Sequence, residues 1–412
     1  MRRKVCYGLV LAVAAVLMSF GGGSSRTALA AAAESDFNTT VGADSTVTIT
    51  KYTGAGGDVV IPDTIGGVPV TAIAEKAFQS NTDITSISLP ANLVSIGKYA
   101  FSGCKNLREI NFNKGLVSMG ERAFDSCSSL EEIILPNSIK VLGNQLFRNC
   151  ISVTKVYIPK SVDDNVPMKP FAGCTALRTV EFEDGITRIP GSKDSFFYDH
   201  GGIFGESGIE EIVLPDTVES IGANAFLNCK NLKKVTFSKG LKTIEGGAFH
   251  NCSALEEAIL PEGLQKLGQE SFEDCTSLRE IFLPSTLESA GRLSFHGNTS
   301  LKIVTFGDGT QKIFGADPIY YDEGLFGDSG IEEMVIPGSV TEIEGCAFAG
   351  CHELKSISLP SGITDIGAKS FYYCEALTEL TLPEELTRIA DSTFTGCSAL
   401  ASCPIPGKVG KI

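Results

Sequence analysis

The chain has 412 residues, with 34 Lys and Arg against 49 Asp and Glu, a formal net charge of −15. No basic block of useful length occurs, which excludes the phosphate-neutralising surface that nucleic-acid binding needs. Length alone suggests two or three globular domains, but an internal repeat overrides it, because a repeat core grows in one dimension without splitting.

Residues 1–30 read as a secretory signal peptide. Arg2, Arg3 and Lys4 precede an apolar run from Val5 to Phe20, and small residues end in Ala28, Leu29 and Ala30. Cleavage near Ala30 removes four basic residues and takes the formal charge from −15 to −19. The apolar run is too short and wrongly flanked for a span, and no later stretch approaches ~20 apolar residues, so no stable membrane span is expected after cleavage. Residues 31–44 are small and polar and are expected to be a disordered start. Residues 45–78 alternate β-branched and polar residues around Gly turns, the pattern of an antiparallel hairpin. They are expected to form an N-terminal β cap over the apolar end of the first repeat.

Residues 79–403 repeat one unit. In AFSGCKNLREINF, residues 100–112, the apolar skeleton is A-F-x-x-C-x-x-L-x-x-I-x-F, and close copies run almost to the C-terminus. Fourteen phenylalanine anchors from Phe78 to Phe394 stand 22 to 24 residues apart, with two longer steps of 33 and 31. A fixed period of this size means a solenoid of about fourteen coils. Leu107, Ile110 and Phe112 are expected to point inward from a strand while Glu109 and Asn111 point out. Stacked strands then form one long parallel sheet on the concave face. A following proline such as Pro136, Pro159 or Pro215 ends the ladder, since it has no N–H to give. The chain reverses through V-x-x-I-G, and Ala-Phe starts a short helical or extended turn on the convex side. The expected class is therefore an α/β-type, β-rich solenoid, a curved rod of roughly 65 Å at ~4.8 Å per coil. Residues 404–412 form a C-terminal tail, which either marks a truncated product or folds over the last coil.

Thirteen cysteines in a secreted chain ordinarily suggest disulfides. Ten of them instead fall three residues after a Phe anchor, from Cys104 to Cys397, and Asn81, Ser207, Asn298 and Ser329 take that place in other coils. The position accepts a small hydrogen-bonding group, so the cysteines are read as a ladder of buried thiols bonded to turn backbone. Cys346 and Cys403 lie off the ladder, and Cys346 is expected at an exposed position as the reactive thiol.

Two coils are interrupted at matching places. Each inserts about ten residues and carries aromatic-aromatic-Asp: Phe197, Tyr198 and Asp199 in one, Tyr320, Tyr321 and Asp322 in the other. The anchors Phe204 and Phe326 are 122 residues apart, or five coils, which suggests a duplicated block.

LEEIILPNSIKVLGNQLFRNC, residues 130–150, and the opening GGDVVIP with GGVPVTAIAEKAF resemble the BspA-like leucine-rich repeats of bacterial surface and secreted proteins. The resemblance covers residues 45 to about 403. It implies a right-handed curved solenoid, adhesion to host or partner proteins in several members, and no catalytic residues.

No catalytic constellation is visible. His200, His250, His296 and His352 have no metalloprotease spacing, no phosphate-binding or nucleophile-elbow motif occurs, and the Asp163-Asp164-Asn165 run lacks a calcium loop's spacing. No cofactor or metal is expected. Three surfaces remain. Glu109, Glu132, Glu211, Glu257, Glu280, Glu333 and Glu379 line one outward strand position as an acidic stripe, read either as a solvated face that keeps sheets from pairing off-target or as a docking strip for a basic partner. The next outward position is apolar, with Tyr157 and Phe282 as aromatic anchors. The paired insertions are the third, their aromatics either contact residues on projecting loops or folded back to cover the convex core. The expected function is a secreted or cell-surface-associated, non-enzymatic binding protein for a protein or glycan partner. The alternative is a structural spacer that displayed a further C-terminal domain.

Overall fold

The computed structural model describes residues 30–162, 168–192, 201–319 and 323–410. The signal reading (apart from Ala30), Asp163 to Asn165, Phe197 to Asp199 and Tyr320 to Asp322 lie outside them.

Each turn of the chain is joined to the next along three ladders. The first comes from the L-x-x-I-x-L stretch. Glu132–Ile134, Lys155–Ile158 and Thr179–Phe182 pair in parallel, with Glu132 opposite Lys155 and Tyr157 opposite Glu181. Side chains alternate across a strand, so Ile133 and Val156 are fully buried while their neighbours face out. The second ladder comes from the I-G segment, read in the sequence only as a reversal. Arg188–Ile189, Ser220–Ile221, Thr243–Ile244, Lys266–Leu267 and Ser289–Ala290 form five parallel two-residue strands. Its glycines permit close stacking: a Cβ on Gly143 would fall 2.1 Å from the carbonyl carbon of Gly120.

The third ladder surrounds the phenylalanine and is not β-structure. In most turns the residues two before and two after the anchor take left-handed backbone, as Arg122 (φ 50°) and Ser126 (φ 61°) do around Phe124; Gly202 and Gly324, before Phe204 and Phe326, do not. This alternation turns successive N–H groups toward the next turn. The Phe101 N–H donates to the Ala123 carbonyl at 2.7 Å, and the Phe124 N–H to Leu146 at 2.9 Å. Asn, Asp, Ser and Gly recur at the second position after the anchor because they tolerate left-handed geometry.

Inside, the anchors form one continuous stack. Centroids are 4.7 Å apart between Phe78 and Phe101 and 5.0 Å between Phe226 and Phe249, with planes 3° apart in the latter pair. Tyr52 extends the stack at 5.2 Å from Phe78, and Phe37 sits 5.4 Å beyond it. Counted between anchors, the chain is a parallel β-solenoid of about thirteen turns.

The cysteine ladder is present. Cys104, Cys127 and Cys252 donate from Sγ to the carbonyls of Phe78, Phe101 and Phe226 at 3.1, 3.2 and 3.2 Å. Where asparagine replaces cysteine the bond persists, Asn298 Nδ2 reaching the Phe272 carbonyl at 3.1 Å. Burial pushes the Cys174 and Cys229 thiols up to about 12.

Several expectations are corrected. The described residues hold no α-helix, only the 3-10 turn Glu34–Asp36, so the α/β character is not found; the anchor segment's left-handed residues preclude a helical run. The long single sheet is instead a set of short separate ladders, because strands of mostly two to four residues do not carry regular pairing through every turn. Residues 31–44 are not a disordered start. Phe37–Val41 pairs antiparallel with Val47–Tyr52, and Phe37 is buried, so the cap begins before residue 45. Its expected hairpin is formed by Thr64–Ile65 and Val68–Ile73. Cys346 is fully buried rather than exposed, as the left-handed residue two before Phe348 (φ 58°). At the other end, the Gly410 N–H donates to the Thr387 carbonyl at 3.1 Å.

Two outcomes test this packing. Phe249→Ala should cost about 3 to 5 kcal/mol in chemical denaturation, since both neighbouring rings lose contacts. In thiol titration the native ladder cysteines should be unreactive, and denatured protein should expose all twelve cysteines of the described residues as free thiols.

Candidate interaction surface

The first ladder places three rows of outward side chains side by side. The middle row holds the sequence-predicted acids Glu132, Glu211, Glu257 and Glu280, all exposed. It is not the uniform stripe expected. Register puts Lys155 opposite Glu132 and Lys234 opposite Glu211, so cations interrupt the row. Lys155 Nζ is 2.8 Å from Glu181 and Lys234 Nζ 4.0 Å from Glu257.

The apolar row lies two residues further along each strand. Val335 is 73% exposed, Val213 68%, Ile259 64% and Ile134 55%, so these side chains do not serve the core. Tyr157 stands beside Ile134 and Glu181, and Phe282 beside Ile259 and Thr305. Both aromatics are half-buried against their neighbours. The ladder therefore gathers two aliphatic-aromatic pairs on one face. Burial, with the charges of Glu183, Asp184 and Glu181, raises the Tyr157 phenol above its ordinary 10.

A row that sequence reasoning missed lies one residue before the acids. Glu210 sits 3.0 Å from Arg178 and 3.1 Å from Lys233 on the flanking turns. Glu332 sits 2.8 Å from Lys302 and also meets Lys355, and these two lysines hold its carboxyl down at about 2. The two triads are 122 residues apart, the spacing of the proposed duplication. Phasing the sequence one position earlier would have found this alternation. Two depressions open on the same face. One of about 540 Å³ is lined by Arg108, Asn111, Glu131, Glu132 and Ile134, and one of about 480 Å³ by Glu211, Lys234, Glu257, Arg279 and Glu280.

Among the described residues no group of three or more His, Cys, Asp or Glu could hold a metal ion, and no helix is long and apolar enough to cross a membrane. The arrangement offers contact area, charge and a few aromatic anchors.

The BspA type leucine rich repeat region matches residues 71–203, 200–317 and 319–412, in six copies, and the chain belongs to that family. Its fold is similar to that of a leucine-rich repeat protein from Bacteroides ovatus, with a TM-score of 0.62 and 23% identity over 92% of this chain and 89% of that one. A leucine rich cell surface protein from Faecalibacterium prausnitzii aligns at a TM-score of 0.43 and 25% identity, over 91% of this chain and 94% of that one. The pneumococcal vaccine antigen PcpA aligns at 0.45 and 19%, over 91% and 96%. No curated protein matches the chain.

The charge environment of Tyr157 is open to measurement. Spectrophotometric titration should find its phenol ionising above pH 10, and Glu181→Gln should move the midpoint back toward that value.

Proposed function

We propose that this chain is a secreted or cell-surface-associated, non-catalytic binding protein that grips a protein or glycan partner with the strand face just described. The observation that carries the reading is the apolar row. Large aliphatic side chains more than half exposed, framed by charged rows and set beside two aromatics, match a contact face, with anchors at its centre and a polar rim. A solvated spacer has no need of them. Membership of a leucine-rich repeat family supports a scaffold that acts through its surface. The signal-like N-terminus supports export.

Tyr157 and Phe282 are the anchors in this reading, and Glu132, Glu211, Glu257 and Glu280 set the charge a partner meets. Phe197, Tyr198, Asp199, Tyr320, Tyr321 and Asp322, in the two insertions, are the further contact residues of this reading. Aromatic anchors in such interfaces each carry about 2 kcal/mol or more.

The mature chain can be measured against immobilised extracellular-matrix proteins and a glycan array. A specific partner should bind the wild type and lose affinity by at least tenfold, about 1.4 kcal/mol, when Tyr157→Ala, Phe282→Ala and Tyr321→Ala are combined. Affinity left unchanged by the triple variant sinks the site. Turnover of a substrate that survives repeated purification sinks the non-catalytic reading.

A further inference from the structure

Three of the four histidines meet in one row on the phenylalanine side of the solenoid. His250, Glu273 and His296 directly follow the anchors Phe249, Phe272 and Phe295, and Asp328, His352 and Glu375 continue on the next three turns. Imidazole and carboxylate alternate throughout. His250 Nδ1 is 3.1 Å from Glu273 Oε2, and Glu273 Oε1 is 3.4 Å from His296 Nδ1. His296 Nε2 is 3.3 Å from Asp328 Oδ2, and Asp328 Oδ1 is 3.4 Å from His352 Nε2. His352 Nδ1 lies 3.8 Å from Glu375 Oε2.

Both ring nitrogens of His296 thus face a carboxylate, and so do both of His352. A neutral imidazole has one N–H, so it can donate to only one of the two; the imidazolium donates to both. The neutral form also turns a lone pair toward an anion. Glu273 is flanked by two imidazoles, and its side chain is only 11% exposed. When those rings are neutral, it becomes a largely desolvated charge without a counter-ion, a costly arrangement. Glu323 is a further carboxylate acting on His296, and the buried Cys351 thiol lies beside Asp328. The turn makes room for the central ring: a Cβ on Gly327 would fall 3.0 Å from His296 Cδ2.

We propose that this row is a proton-operated clasp, which holds the six turns anchored by Phe249 to Phe371 together in mildly acidic surroundings and loosens them as the imidazoles lose their protons. The contacts join residues on different turns, so protonation stabilises the stacking of turns rather than any one of them. Solenoid stability is a sum of such neighbour terms, and a segment can loosen while the rest stays folded. The clasp covers the second half of the described solenoid only, since the row has no histidine before His250 among the described residues.

The charges act in a consistent direction. The Glu273 carboxylate beside it, with the charges of Asp328 and Glu323, raises His296 above its ordinary 6.5 against the opposing effect of burial. A raised base contributes stability that is full below its unfolded value and is lost as pH climbs through the folded one. Burial works to raise Glu273, but the imidazoles of His250 and His296 in contact with it outweigh burial and bring its carboxyl from 4.5 to about 2. A lowered acid contributes above its unfolded value and loses that contribution as pH falls through the folded one. The clasp is therefore tightest between 4.5 and 6.5 and fades above that window.

Histidine NMR titration and amide exchange by mass spectrometry, from about pH 5.5 to about pH 8, test the clasp. In the wild type His296 should titrate above 6.5, and Glu273→Gln should bring it back down. Corrected for the intrinsic exchange rate, protection of peptides across residues 249–375 should fall with rising pH, while that of residues 78–171 stays level. His296→Gln should abolish the difference. A His296 midpoint at or below 6.5, or protection that changes equally in both halves, overturns the proposal. Both of those readouts use the wild type, so the proposal stays open to refutation even where a variant fails to fold.

Discussion

Each phenylalanine anchor carries a backbone carbonyl inside the stack, and the fold depends on that oxygen being paired. An unpaired carbonyl there would cost a large part of what the rings contribute, because no water reaches it. One donor is the N–H three residues on, as Cys104 N–H gives to the Phe101 carbonyl at 3.1 Å, and a cysteine thiol from the next turn is the second, with Cys104, Cys127 and Cys252 fully buried. A thiol suits this position because it is small, apolar enough to bury and still able to donate. Asn298 makes the equivalent bond with an amide. The left-handed residues flanking most anchors aim the remaining N–H groups along the same axis, so ring stacking, carbonyl pairing and backbone geometry reinforce one another.

Because the inner positions are committed to that arrangement, variation is confined to the outward ones. Many surface ion pairs join residues 23 apart on adjacent turns, such as Lys233 with Glu210 and Lys242 with Glu219. Exposed pairs of this kind contribute little to stability. Rows can therefore change charge or become apolar at small cost, and such changes add up along the axis into extended surfaces. The apolar row with Tyr157 and Phe282 and the imidazole row centred on His296 lie on different sides of the turn. Each is a linear feature built one residue per turn, and each leaves the phenylalanine stack untouched.

Much of this was legible before any coordinates. The spacing of Phe78 to Phe394 sets the turns, the phase of Cys104 to Cys397 predicts buried thiols, and the alternation in residues 107–112 assigns inside and outside. Other features were not. Phe37 sits in a polar stretch whose composition suggests disorder, and its pairing with Val47–Tyr52 and ring contact with Tyr52 explain why the strand orders. Cys346 precedes its anchor by two residues, a place where Lys76, Tyr99 and Arg122 stand in other turns, so sequence pattern points outward, yet in its own turn the side chain is covered, as that of Asn224 is at the same place. The acidic stripe was incomplete because collecting acids omits the lysines that share their register.

The repeat, its core and its family were settled by sequence alone, because those rest on periodic apolar residues and one period repeats many times. Which residues of different turns touch was decided only by the tertiary structure. Lys155 with Glu181 and His296 with Asp328 lie 26 and 32 residues apart, and no local pattern links them. Their meeting is set by the stacking of the turns and by how insertions shift the count. Surface chemistry in a solenoid is read across turns rather than along the chain, so its candidate sites become visible only once the turns are stacked.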